Sequence, residues 1–299
     1  MAGRQQQGVA IPFAVAALGI ALFSGMDALM KGLALAIGPY NALLWRTLAG
    51  AMLGGAFFFG RRSAWPAPRT LRVHLLRGTL SSVMAVLFFW GLARVPMAQA
   101  IALTFIAPLI ALYLAALFLK EKIQLRAILA SVLGFAGVVV ILAGQVDAHL
   151  GPQALRGSIA ILLSACLYAG NIVLMRRQAQ LAGPIEVAFF MSAIMGGCFL
   201  LAAPFLAVWP EGARWPAIVG AALLAFGSLM LLAWAYARAE AQHLAPVEYT
   251  GFVWAAFFGW TVFAEPVRPF ALAGAAMIVA ACLIAARAVP AAEVHAEGL

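Results

Sequence analysis

Charge is what this sequence has least of. Only 10% of its 299 residues are Asp, Glu, Lys or Arg, while 66% are apolar; soluble domains carry about 25% and roughly 45–50%. A water-soluble fold is excluded on that ground, since no such fold hides so large an apolar share. Cysteine is scarce as well. Cys166, Cys198 and Cys282 lie inside apolar runs without metal-ligand spacing and read as small packing residues. The four histidines, at 74, 149, 243 and 295, do not stand at ligand spacing from cysteines or carboxylates. No catalytic constellation forms, so neither an enzyme nor a metal or other cofactor is expected. A Gly-Lys-Ser/Thr phosphate loop is missing too, which argues against ATP drive within this chain.

What the sequence has is apolar runs. Crossing the hydrocarbon core takes about 20 mostly apolar residues. Runs bounded by charge, Pro or Gly occur at 11–31, 40–60, 72–92, 97–119, 124–143, 155–176, 185–206, 216–236, 243–263 and 269–288. They predict an all-α integral membrane protein of ten spans. Ala34-Leu35-Ala36 after a basic end resembles a secretory cleavage site, but Asp27 and Lys31 interrupt the apolar stretch and the segment recurs later, so it is kept as a mature helix. The net charge of +9 is spread between the runs, as in loops facing anionic head groups, and not gathered in a nucleic-acid patch. With residue 1 inside, 13 Lys and Arg fall on the cytoplasmic side, Arg77 among them, and 5 outside, Arg46 lying within a span. The positive-inside rule then puts both termini in the cytoplasm.

The sequence also repeats. Trp90, Ala93, Arg94 and Glu121 recur 144 residues on as Trp234, Ala237, Arg238 and Glu265. Gly25, Leu29, Met30, Gly38 and Pro39 recur 145 on as Gly170, Leu174, Met175, Gly183 and Pro184. Five spans per copy is an odd number, so the second copy enters the membrane from the opposite side. Inverted repeats of this kind enclose midplane solute sites in transporters that work by alternating access.

Pro39 with Arg46, the segment from Ala98 to Pro108 ending in Leu119-Lys120-Glu121, and Glu265 resemble the drug/metabolite transporter (DMT) superfamily, EamA type. Within it the chain is most similar to the YddG-type exporters of aromatic amino acids. The resemblance covers nearly the whole chain. It implies an EamA/DMT fold of two inverted five-helix repeats, 1–148 and 149–299, in a bacterial-type cytoplasmic (inner) membrane. It also implies that spans 1 to 4 and 6 to 9 surround a central cavity, with spans 5 and 10 peripheral. Phe252 stands where Pro108 stands in the first copy, a departure that bears on the symmetry of the gates.

Ionisable groups inside spans are costly and usually face protein or water. Arg46 either clamps a substrate carboxylate in a bidentate manner or forms a structural pair with Asp27 or helix carbonyls, or snorkels to the surface. Glu248, two residues after Pro246, either meets a substrate ammonium or coupling proton or lies at the interface beside Arg238 or His243. Asp27 is expected to pair locally with Lys31 one turn on. Trp65, Trp209 and Trp215 are assigned to interfacial belts, whereas Trp90, Tyr168, Trp234, Tyr249 and Trp254 are candidates for the cavity wall. Asn171 suits an amino-acid head group or an interhelical hydrogen bond. Pro108, Glu121, Pro246 and Glu265, with Asp27, are candidate gating or structural positions. Gly50, Gly54, Gly134, Gly137, Gly196 and Gly197 are read as packing positions.

The expected function is export of small metabolites, foremost aromatic or bulky apolar amino acids. The small-molecule substrate and the lipid bilayer are the expected partners, with no nucleic acid. A carrier of organic cations, or of a nucleoside-like metabolite such as S-adenosylmethionine, is the alternative; a channel or scaffold is the reading from another class.

Overall fold

The computed structural model describes residues 2–107, 109–110, 125–147, 151–236, 238 and 247–288. Among the described residues there are helices and turns but no strand. In chain order they are α1 (Ala2–Gly60), α2 (Pro68–Leu92), α3 (Met97–Thr104), α4 (Leu125–Asp147), α5 (Gly151–Ala179), α6 (Pro184–Leu206), α7 (Trp215–Tyr236), α8 (Thr250–Phe263) and α9 (Pro269–Ala288). A helix lies on every expected apolar run; 97–119 and 243–263 are described only in part. Five helices, Ile11–Gly60, Pro68–Leu92, Gly151–Ile172, Pro184–Leu206 and Gly212–Leu232, are long and apolar enough to cross a membrane. Shorter apolar helices run over Ser131–Gly144, Thr250–Phe263 and Pro269–Ala281.

α1 is two helices. Pro39 brings no N–H and crowds the preceding turn, and Gly38 takes φ 81°, ψ 151°, a conformation that L side chains rarely adopt. The chain bends there into a first arm before Gly38 and a second arm from Pro39. Asn41 tends the break: its Nδ2 donates to the Ile37 carbonyl at 3.1 Å. In the second copy Gly183-Pro184 makes an ordinary helix start, with Gly183 extended at φ −74° and Pro184 in the first turn of α6. The same dipeptide thus bends one connection and begins a helix at the other.

Three of the helical segments pack on their counterparts about 144 residues away. The second arm of α1 lies on α6, where the Gly50 Cα faces Ser192, Gly54 faces Phe189, and Gly196 faces Leu48. Met97, opening α3, meets Gly259 of α8. On α4, Gly137 meets Gly274 of α9, and Gly144 meets Phe270. With Phe105, just past α3, meeting Tyr249, just before α8, higher numbers on one helix meet lower numbers on the other in all three pairs, so these counterpart helices run antiparallel. The remaining contacts exchange in pairs. The first arm of α1 packs antiparallel on α7 through Gly19 with Leu232 and Gly25 with Leu224, and α2 packs antiparallel on α5 through Gly91 with Gly157. These are the contacts of a two-fold axis relating the copies.

Lipid is as apolar as leucine, so helices in it associate by close packing, not by escape from water. Small residues make that approach possible. A Cβ on Gly274 would stand 2.5 Å from the Gly137 carbonyl and 2.4 Å from Ile141. Gly134, Gly137, Gly50, Gly54 and Gly196 all abut a neighbour, as expected, but Gly197 has nothing within 4 Å of a built Cβ.

Gly274→Val forces the α4–α9 seam apart and is expected to cost about 1–3 kcal/mol, the usual range for overpacking. Gly170→Ala, where a Cβ meets nothing within 4 Å, is expected to be close to neutral. Thermal unfolding of the purified protein in one detergent compares the two; equal shifts would contradict the seam.

Candidate functional site

At one end of the helices the polar groups are tied off. Lys31, on the first arm of α1, is 3% exposed, and its Nζ donates to the Val95 carbonyl at 2.7 Å and to Glu265. The other Glu265 oxygen accepts the Met97 N–H at 2.8 Å. Met97 begins α3, whose first amides lack helical partners, so this carboxylate satisfies a helix N-terminus and a buried ammonium together. The expectation that Lys31 pairs with Asp27 is therefore overturned. Local spacing allowed that pair, but Glu265, 234 residues away in sequence, brings a better acceptor to the same ammonium.

Nearby, Asn41 Oδ1 accepts the Val208 N–H at 2.8 Å and Trp45 Nε1 donates to the Val208 carbonyl at 2.9 Å. Trp45, Trp209 and Trp215 close into a ring cluster with centroids 4.9–5.6 Å apart. Tyr40 Oη donates to the Phe199 carbonyl at 2.6 Å. Four segments of the chain are thus bolted to one another here.

At the opposite end lies a buried polar chain that sequence reasoning missed. Arg77, counted above with the cytoplasmic loop charges, is buried within α2; its Nη1 donates to Gln178 Oε1 and its Nε to Asn171 Oδ1 at 3.3 Å. With its carbonyl oxygen held by Arg77, Gln178 turns its Nε2 toward His74 Nδ1. His74 Nδ1 therefore accepts, and its Nε2 faces Glu186 at 3.0 Å, the arrangement of an Nε2–H imidazole. Phe190 stacks flat on the His74 ring at 4.8 Å. The signal was present: His74 with Arg77, three apart, and Asn171 with Gln178, seven apart, each share a helical face. A cleft of about 330 Å³ opens beside Glu186, between the 61–64 turn and residues 183–186.

Arg77 also interacts electrostatically with Tyr168, which in turn feels Glu248. Tyr168 is half-buried, and Glu248 is exposed. A guanidinium from α2 and a carboxylate from the approach to α8 thus both act electrostatically on one phenol of α5. Tyr249 follows Glu248 and meets Phe105 edge-on at 5.3 Å. Of the expected site residues, Tyr168, Asn171, Glu248 and Tyr249 belong to this end of the bundle or adjoin it.

The others lie elsewhere. Trp90 and Trp234 each carry an arginine, Arg94 at 3.6 Å and Arg238 at 4.1 Å from the ring centroid. Each guanidinium also donates to the carbonyl of its own tryptophan, at 2.7 and 3.2 Å. The repeat has conserved a whole stack between its two copies. Trp254 packs on Phe257 and Phe258, with centroids 6.3 and 6.5 Å away. Arg46 interacts electrostatically with Asp27 across the two arms of α1 without an ion pair within 4 Å, and its Nη1 lies 3.8 Å from Met26 Sδ. Pro108, Glu121 and Pro246 lie outside the described residues. Among the described residues no group of three or more His, Cys, Asp and Glu is gathered to hold a metal.

Known proteins resemble this chain along most of its length. The model of the EamA-like transporter family matches twice, at residues 11–143 and 155–287. The pseudopaline exporter CntI of Pseudomonas aeruginosa is 25% identical over 89% of this chain and 92% of its own. A riboflavin transporter of Brucella anthropi is 28% identical over 71% of this chain and 75% of its own. An S-adenosylmethionine uptake transporter of Rickettsia felis is 28% identical over 71% of this chain and 70% of its own. One solved crystal structure, 20% identical, covers 93% of this chain and 97% of its own at a TM-score of 0.62, a likeness of fold.

Removing one partner of a buried ion pair leaves the other charge uncompensated, at a cost on the order of 3 kcal/mol. Glu265→Gln is expected to lower unfolding stability by about that much, and the double variant Lys31→Met/Glu265→Gln to recover part of the loss. A double-mutant cycle in urea or SDS measures it; additive effects would remove the latch.

Proposed function

We propose that this chain, which belongs to the EamA-like transporter family, is a secondary transporter that moves amino acids with aromatic or bulky apolar side chains by alternating access. The supporting observation is that Arg77 and Glu248, of opposite charge, both act electrostatically on Tyr168. A zwitterion brings a carboxylate and an ammonium a few ångströms apart; a fixed cation and a fixed anion in the neighbourhood of one ring complement it. Asn171, on the same guanidinium, can donate to the carboxylate. Tyr249 and Phe105 supply flat apolar walls for the side chain. Arg77 here takes the head-group role that the sequence suggested for Arg46.

The antiparallel pairing of counterpart helices supports two inverted five-helix repeats, 1–148 and 149–299, and hence ten spans with both termini cytoplasmic. In that orientation Lys31, Glu265, Asn41 and the Trp45 cluster form the outer face, and His74, Arg77 and Glu186 the inner. A bolted outer face with Glu248 exposed on the inner side fits a carrier that receives its solute from the cytoplasm and releases it outward. The cytoplasmic membrane of a bacterium is the matching location. In this reading Pro108, Glu121 and Pro246 remain gate positions, while Trp90, Trp234 and Trp254 line the approaches to the cavity.

A second reading draws on the relatives that carry riboflavin and S-adenosylmethionine: a planar, nucleoside-like or cationic solute held by Tyr168 and Glu248. Purified protein in liposomes preloaded with unlabelled phenylalanine or tryptophan is expected to accumulate the labelled amino acid by counterflow. Arg77→Ala should raise the half-saturation concentration roughly tenfold or more, since hydrogen bonds to charged groups contribute about 1.5–3 kcal/mol. Counterflow of riboflavin or S-adenosylmethionine with none of phenylalanine or tryptophan would replace the first reading by the second.

A further inference from the structure

Asp27 is the deep carboxylate that the site above does not use. It lies in the middle of the first arm of α1, 1% exposed, and its Oδ1 has no hydrogen-bond partner among the described residues. Arg46, on the second arm, is near enough to interact with it electrostatically but forms no ion pair within 4 Å, and its Nε is likewise buried without a partner. A structural ion pair closes both groups on each other, as Lys31 and Glu265 do. Asp27 and Arg46 face each other without closing.

Among the described residues no other charge takes over the role of partner. α8 contains no titratable residue, and α7 only Tyr236 in its last turn. α6 brings Cys198 and Glu186, the latter held by His74. α2 brings Arg69 and Arg72, both exposed, with His74 and Arg77 tied to Gln178. On α1 itself Lys31 is committed to Glu265, and Tyr40 to the Phe199 carbonyl. Apolar surroundings favour the neutral carboxylic acid and the neighbouring guanidinium favours the carboxylate. A group held between such opposed influences, inside a span, is suited to bind and release a proton.

We propose that Asp27 carries the coupling proton, so that this transporter exchanges protons for its solute. The carboxylate takes one proton from one side of the membrane, becoming the neutral acid, and returns it to the other when the two arms of α1 reorient about Gly38. Arg46 acts on the transition by charge, as a positioning residue. This deepens the transporter reading and relies on it only for the identity of the solute.

The first test needs no solute. Dicyclohexylcarbodiimide adds to protonated carboxyl groups in apolar surroundings. Applied to the full-length protein in liposomes from acid to alkaline pH, with sites read by mass spectrometry, it is expected to modify Asp27 at acid pH and progressively less as pH rises. No modification of Asp27 at any pH in the folded protein, with modification after denaturation, would overturn the proposal, as would labelling independent of pH. The second test loads the liposomes with a pH-sensitive dye and measures protons moved per labelled amino acid moved. Wild type and Asp27→Glu are expected to move protons with solute, and Asp27→Asn to fall to the level of empty vesicles in that ratio. An unchanged ratio in Asp27→Asn sinks the proposal, whereas a merely damaged fold slows transport and leaves the ratio intact. Absence of phenylalanine and tryptophan counterflow in wild type, with Asp27 still labelled in a pH-dependent way, would remove the solute assignment and leave the proton site standing.

Discussion

The contact between Lys31 and Glu265 concentrates the constraint under which this whole chain is built: in an apolar solvent a polar group needs a partner inside the protein. The ammonium cannot reach water, so it is met by a carboxylate and a backbone carbonyl. The carboxylate in turn closes the bare N-terminus of α3. One residue from the last loop of the second copy thereby ties the first arm of α1 to the start of α3 and to the segment that follows α8. The same requirement governs Asn41 at the Gly38 break and Gln178 between Arg77 and His74. Every one of these amide side chains has both its donor and its acceptor engaged or turned toward a partner.

Set against that rule, Asp27 and Arg46 are exceptions, as are Ser81, Gln99, Ser228 and Arg268, and the first two lie on the two arms of α1. Protein interiors tolerate such incompletely matched charge where the mismatch serves a change of state. The glycine seams work in the opposite sense. Gly137 against Gly274, and Gly91 against Gly157, bring the backbones of antiparallel helices into close contact.

Much of the fold was legible in the residues. Ten apolar runs marked the helices, because a membrane-spanning segment advertises itself by length and hydropathy alone. The offset of 144 residues marked the repeat, and the Trp90/Arg94 and Trp234/Arg238 stacks later appeared in both copies with the same geometry. Site residues were harder. Tyr168, Asn171 and Glu248 were recognisable as polar or aromatic groups within or near spans. Arg77 was not, since a basic residue one turn inside a span is indistinguishable, in sequence, from the loop charges beside it.

What the sequence by itself determined is therefore everything periodic: helices, their number of apolar runs, and the two copies. These depend on local composition, and local composition is all that a bilayer tests. Only the tertiary structure decided which charge meets which. Lys31 had a carboxylate four residues before it and chose another 234 residues after it, because helix direction and close packing, not spacing along the chain, bring an acceptor within reach. The antiparallel return of the second copy delivers Glu265 to Lys31 and leaves Asp27 facing Arg46 across a bend.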